Sequence, residues 1–229
     1  QLPSPGKLAN SDQPLTTEIY DRNGTLLYRI YEGRNRTLIS LKDLPPYLIQ
    51  ATIATEDKNF YFHPGFDPLA IARAIWTDLK EGREEGASTI TQQLIKNSLL
   101  TPEKTIPRKI KEVILAFWAE RIYSKDQILQ MYFNETPYGG PAWGIEAGAQ
   151  TYFGKSAKDL TLNEAAFLAG LPASPTTFSP YGTHPELSKE REAYVLQRMV
   201  DEGYLKKDAA SEALSQPLNL KPLANNILA

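Results

Sequence analysis

The chain has 229 residues, 41% hydrophobic and 23% charged, with a formal net charge of −2 and no cysteine. That length suffices for one substantial core or for a large and a small lobe, in the composition of an ordinary folded domain. The charge indicates no bulk attraction to nucleic acid or to anionic lipid, so any anion site must be built locally; the lack of cysteine excludes a disulfide framework and thiolate metal sites. No stretch approaches the roughly 20 apolar residues that span a bilayer. Because the chain opens on Gln1 rather than Met, it reads as an excised segment whose upstream anchor is expected outside it.

Residues 1–16, Pro-, Ser- and Asn-bearing and without period, read as a flexible lead-in. TEIYD and TLLYRIY flank Arg22-Asn23-Gly24, a hairpin signal with a tight turn at Asn-Gly. From Pro45-Pro46 the pattern turns helical, with Leu48, Ile49, Ile53 and Ala54 as an apolar face. Asp67-Pro68 opens a helix running to Gly82. Ser88 or Thr89 opens another that reaches about Leu100. A long helix follows from about Thr105 to Tyr123, and Ser124 caps the next, through Phe133, with Ile128, Leu129 and Tyr132 inward. Thr161 and Glu164 form a capping box before a small apolar helix ending near Gly170. A last pair covers about 185–202 and 207–215, with Val195 and Met199 as core. The expectation is a mainly α chain with a small β element at its N-terminus.

Three segments can carry chemistry. In EDKNFYFHPG, Glu56 and Asp57 end an apolar helix and run into an aromatic loop. A carboxylate against aromatic walls loses hydration and becomes a better proton acceptor, although an acid pair at a helix end is also ordinary solvated structure. In GASTITQQ, a glycine precedes a Ser/Thr-capped helix whose first N–H groups suit an anion. One face of that helix presents Gln92 and Gln93 beside Lys96; plain N-capping by Ser88 or Thr89 is the competing account. Third, Lys104 and Arg108 with Lys96 make a cluster of cations, and Arg108 and Glu112 stand one helical turn apart. Such cations meet the charge on a departing pyrophosphate, or else form a solvated basic stripe. Arg73 lies on the helix carrying Ile71, Ile75, Trp76 and Leu79, and can point toward the same cleft. That apolar stripe could lie on a membrane interface, but the pattern by itself favours an ordinary core face. His63 and His184 lack metal-ligand spacing, so no zinc site is supported.

Taken together, these segments resemble the peptidoglycan glycosyltransferase domain (glycosyltransferase family 51) of class A penicillin-binding proteins and monofunctional glycosyltransferases. EDKNFYFHPG, GASTITQQ, RKIKE, KDQILQMYFN and REAYVLQRM match its five blocks in order, and GIEAGAQTYFGKSAKDLTLNEAAFLAGLPASPTTFSP has the family's look between the last two. The resemblance covers about Thr17 to Leu218. It implies a mainly α, lysozyme-like fold with a large head lobe and a small membrane-proximal jaw lobe. The implied activity is polymerisation of lipid II into β-1,4-linked glycan, with inversion and release of undecaprenyl pyrophosphate.

Carried over by position, Glu56 would be the general base and Asp57 would support it. Arg73, Lys96, Lys104 and Arg108 would contact the donor's phosphates, and Ser88, Thr89, Gln92 and Gln93 would line the cleft. Glu112 would hold the pyrophosphate region, as the second catalytic glutamate. No cofactor is implied as a requirement; a divalent cation, Mg2+ or Mn2+, is an option at Glu112. The implied partners are lipid II, the growing lipid-linked glycan, the membrane surface and cell-wall synthesis proteins, with no nucleic acid. The implied location is the extracytoplasmic face of the bacterial plasma membrane. Residues 17–218 would form the domain and 219–229 a linker toward a transpeptidase outside these residues. Two departures stand out: Glu192 follows Arg191 where the family usually has a second basic residue, and Pro141-Ala142-Trp143 occupies the loop after the fourth block. Two readings compete: a lytic glycan-cleaving enzyme of lysozyme-like fold, and a non-catalytic wall-binding module. The first needs a general acid for a sugar leaving group, not a cation cluster.

Overall fold

Pro45 and Pro46, with φ fixed near the helical value, start α1 (Pro46–Glu56), and the remaining helices are laid around it. The structure, a computed structural model, describes residues 2–9, 17–20, 22–23, 26–30, 35–68, 88–101, 103 and 105–222. Arg73, Lys104 and nearly all of the helix expected from Asp67 to Gly82 lie outside them. Beyond α1 the described helices are α2 (Ile90–Leu99), α3 (Ile106–Ile122), α4 (Lys125–Glu135), α5 (Ile145–Phe153), α6 (Leu162–Gly170), α7 (Glu186–Asp201) and α8 (Lys207–Ser215). The mainly α expectation holds.

α1 is buried on more than one side because it divides two apolar clusters. Leu48 and Ile53 face a larger one, built with Ile90, Leu94 and Ile95 of α2, Leu115 of α3, Ile128, Leu129, Tyr132 and Phe133 of α4, and Phe167 of α6. Ala51 and Ala54 face a smaller one with Ala166 and Ala169 of α6, Val195, Leu196 and Met199 of α7, and Ala210 and Ala213 of α8. Alanines at this seam let α1, α6 and α7 approach closely. Each fully buried Leu, Ile or Phe contributes about 1.5–3 kcal/mol. The expected core residues Ile128, Leu129, Tyr132, Val195 and Met199 are all 0% exposed.

The caps follow the expected chemistry. Thr89 caps α2, Ser124 caps α4 and Thr161 caps α6, each in a reciprocal box with Gln92, Gln127 and Glu164. Thr105 caps α3 through the Arg108 N–H.

The hairpin forms as β1 (Thr17–Tyr20) paired antiparallel with β2 (Leu26–Ile30), its register shifting between Ile19 and Tyr20. Gly24 of the expected Asn-Gly turn lies outside the described residues. A second small sheet was not legible beforehand: β5 (Ala142–Trp143) pairs in parallel with β3 (Asn35–Arg36) and antiparallel with β4 (Pro137–Gly139). The unassigned Pro141-Ala142-Trp143 loop thus supplies the central strand. α5 was also missed; Ala147, Gly148 and Ala149 carry no amphipathic stripe, and the helix is buried nearly all round. The lead-in expectation is corrected within residues 2–9. Pro5–Leu8 form a 3-10 turn capped by Ser4, Leu8 is buried, and the Tyr123 hydroxyl donates to the Pro5 and Gly6 carbonyls. The tail likewise packs past the expected boundary at 218: Leu220 lies against the core, and the Lys221 N–H donates to the Tyr152 carbonyl at 2.7 Å.

Gly65 closes the loop after α1 at φ +94, where an added Cβ would lie 2.6 Å from the Ala116 carbonyl oxygen of α3. Gly65→Ala should therefore cost about 2 kcal/mol or more. The measurement is thermal unfolding by circular dichroism, and an unchanged midpoint would show that this approach is not tight.

Candidate active site

Glu56 is the last residue of α1, the end at which a carboxylate meets the helix's partial negative charge. Its side chain is only 8% exposed. Oε2 accepts a hydrogen bond from Gln93 Nε2 at 2.6 Å, while Oε1 is buried with no hydrogen-bond partner. Burial raises its pKa above the ordinary glutamate range, with Asp57 adding to the rise; the Gln93 hydrogen bond and the charges of Arg191 and Lys96 pull it back. Gln93 is held in turn by Tyr132, whose hydroxyl donates to Gln93 Oε1 at 3.4 Å.

Asp57 points elsewhere. Its Oδ2 accepts the Ile90 N–H at the start of α2 at 3.0 Å, and both oxygens lie 2.8–2.9 Å from His63 Nε2. The Gly65 N–H donates to His63 Nδ1, so the ring proton sits on Nε2, facing Asp57. With Thr89 Oγ1 donating to the Gly65 carbonyl at 2.7 Å, this network ties the loop after α1 to the first turn of α2. Asp57, Thr89 and the fully buried Gln92, which accepts the Thr89 N–H, are thus scaffold for the site and not its lining.

The cations gather across α2 and α3. Glu112 is 1% exposed, and its two oxygens accept from Arg108 at 2.7 Å and Lys109 at 2.5 Å. Lys109 also donates to Ser88 Oγ at 2.5 Å, joining the segment before α2 to α3. Lys96 is exposed along part of its side chain and makes no ion pair with a described residue. The surrounding protein lowers the pKa of its ammonium, with Arg108 and Lys109 pushing the same way and Glu112 and Glu56 opposing. The expected Arg108–Glu112 pair is real, and it is a buried pair whose disruption costs about 3–5 kcal/mol.

The structure thus brings Glu56, Gln93, Lys96, Ser88, Arg108 and Glu112 into one connected region. It adds two residues the sequence reading did not single out. Lys109 had a signal, its i,i+3 spacing to Glu112. Arg191 had only its place in the fifth block, and its guanidinium stands 3.9 Å from Glu56 Oε1. The departure at Glu192 is absorbed locally: that side chain is fully buried and paired with Lys189 one turn away at 3.0 Å. The donor set at Glu112 does not fit the optional divalent cation, because a cationic side chain already occupies each carboxylate oxygen. Among the described residues, no group of three or more His, Asp and Glu could hold a metal ion.

A family model described as transglycosylase matches residues 23–200. Penicillin-binding protein 1A of Rickettsia felis is 44% identical over 227 residues, covering 97% of this chain and 28% of that protein. The protein of the same name from Aquifex aeolicus is 44% identical, covering 96% and 30%, and that of Escherichia coli K12 is 42% identical, covering 96% and 26%. The chain therefore spans less than a third of the length of these relatives. The crystal structure of penicillin-binding protein 1A from Haemophilus influenzae superposes with a TM-score of 0.53 at 28% identity, covering 91% of this chain and 21% of that one.

Asp57→Ala would leave the Ile90 N–H and the buried His63 Nε2 unpaired, at an expected cost of about 2–3 kcal/mol. Chemical denaturation checks this. Stability within about half a kcal/mol of wild type would show that the latch contributes nothing.

Proposed function

The chain belongs to the transglycosylase family, and we propose that it is a peptidoglycan glycosyltransferase in which Glu56 is the base of a glycan-polymerising reaction on lipid II. Its fold is mainly α and lysozyme-like. The observation that carries the proposal is a buried carboxylate with one oxygen bonded by Gln93 and the other unpartnered, beside a cation cluster shared by two helices.

A sugar hydroxyl is a weak nucleophile near neutral pH. Glu56 Oε1 takes the proton of the acceptor GlcNAc 4-hydroxyl as its oxygen bonds to the donor's C1. The C1–phosphate bond breaks with its electron pair leaving on the pyrophosphate. A positioned base contributes about 10² to 10⁴ in rate. Lys96 and Arg108 meet the leaving negative charge, and Glu112 holds Arg108 and Lys109 together against their mutual repulsion. A single displacement inverts the α-linked donor to a β-1,4 bond. The cations distinguish this reaction from glycan cleavage, whose sugar leaving group requires a proton instead. Lysines and arginines outside the described residues, Lys104 and Arg73, belong to the same proposal as phosphate contacts.

The lipid carrier places the reaction at a membrane, for which we suggest the extracytoplasmic face of the plasma membrane. Among the described residues no helix is long and apolar enough to cross a bilayer. α3 nevertheless exposes Ile106, Ile110, Ile114, Trp118 and Ile122, a row at every fourth residue, 45–78% exposed. Exposed Lys111 and Arg121 lie on the same helix, which suits docking on an anionic lipid surface.

Glu56→Gln should reduce polymerisation of lipid II to below a tenth of wild type with the fold intact, while Lys96→Ala and Arg108→Ala should weaken precursor binding; gel analysis of glycan and a binding titration check these. More than a tenth of the activity in the first variant, or unchanged affinity in both others, would overturn the assignment. Replacing Ile110 and Ile114 together by Asp should reduce cosedimentation with phosphatidylglycerol-containing vesicles by about tenfold or more; undiminished cosedimentation would remove α3 as the docking surface.

A further inference from the structure

Nothing in the catalytic scheme above uses Arg191, yet α7 brings its guanidinium to the unpartnered oxygen of Glu56. We propose that Arg191 is the positioning residue of the base, holding Glu56 Oε1 in a fixed positive field without bonding to it. This rests on the reading of Glu56 as the base.

The separation is the first point. Arg191 stands 3.9 Å from Oε1, whereas the ordinary ion pair Arg108–Glu112 closes to 2.7 Å. A bonded guanidinium would occupy the lone pair that must receive the proton. At 3.9 Å the charge still acts, and the lone pair stays free.

The second point is what holds the guanidinium there. Its Nε donates to the Gly170 carbonyl at the end of α6 at 3.1 Å. Its Cζ lies 4.6 Å from the centre of the Tyr194 ring and 5.1 Å from that of the Phe178 ring. Gly170 is itself needed: a Cβ there would sit 2.8 Å from Arg191 Cγ. Contacts from three directions therefore fix the head group short of the carboxylate.

The groups acting on Glu56 are Asp57 on its own element, Gln93 and Lys96 of α2, Arg191 of α7, and the buried Tyr132 of α4 and Tyr138 of β4. Burial raises the pKa of both tyrosines, so they stay neutral. Among the described residues, only Lys96 and Arg191 bring positive charge to it. Lys96 shares its charge with the phosphate cluster, which leaves Arg191 as the cation assigned to the base alone.

Removing that charge disfavours the ionised carboxylate, so its pKa rises and the acid limb of the kcat–pH profile moves to higher pH. Arg191→Met should move the limb up by about one unit, a tenfold loss below it, with KM for lipid II little changed. Arg191→Lys, which keeps the charge, should keep the limb near wild type. Tyr194→Leu, at a half-exposed position, should shift it in the same direction by less. The profiles are measured on polymerisation of lipid II, with circular dichroism confirming each fold. A limb unmoved in folded Arg191→Met overturns the proposal, and if that variant does not fold, a limb unmoved in Tyr194→Leu does the same. A wild-type chain that makes no glycan at any pH overturns the base reading, and this inference with it.

Discussion

A carboxylate taken out of water at the negative end of a helix is an expensive arrangement, and the helices around Glu56 are placed to make it tolerable without neutralising it. A direct salt bridge would stabilise the charge most, and would also occupy the lone pair that the proposed base role requires. The fold divides the task instead. Gln93 donates one hydrogen bond to Oε2, Arg191 supplies charge at a distance, and Oε1 keeps its lone pairs. The central position of α1, between two apolar clusters, fixes the point at which this carboxylate emerges.

The neighbouring acid has the opposite fate. Asp57 meets the positive end of α2, a favourable site for a negative charge, and is closed off by His63. Adjacent residues of one type thus take different roles because two helices present opposite poles to them. The latch also sets the distance between the base and Gln93, which lies one turn into α2.

A similar division governs the cations. Lys96, Arg108 and Lys109 would repel one another if gathered without compensation. Glu112, buried beneath them, pairs with two and leaves Lys96 free among described residues. The lowered pKa of Lys96 reflects burial first and then the repulsion of Arg108 and Lys109. The buried glutamate is the anchor that holds Arg108 and Lys109 together.

What the sequence by itself determined was most of what depends on neighbours along the chain. Caps at Thr89, Ser124 and Thr161, the proline start of α1, the hairpin and the apolar faces of α4 and α7 are local chemistry, and all were legible. So was the family, since five ordered blocks tolerate few alternatives. The missed elements, α5 and the sheet joining Asn35–Arg36 to Ala142–Trp143, lack local signals: the helix is buried nearly all round, and the sheet pairs strands more than a hundred residues apart. The site divides along the same line. The Arg108–Glu112 pair could be named from spacing, whereas Glu56 stood out only as one of an acid pair and took its role from the family resemblance. Only the tertiary structure decided that Asp57, Thr89 and Gln92 face inward as scaffold, and that Arg191, 135 positions from Glu56 in sequence, faces it across α6 and α7. Burial and approach between distant segments arise from packing, and no local pattern records them.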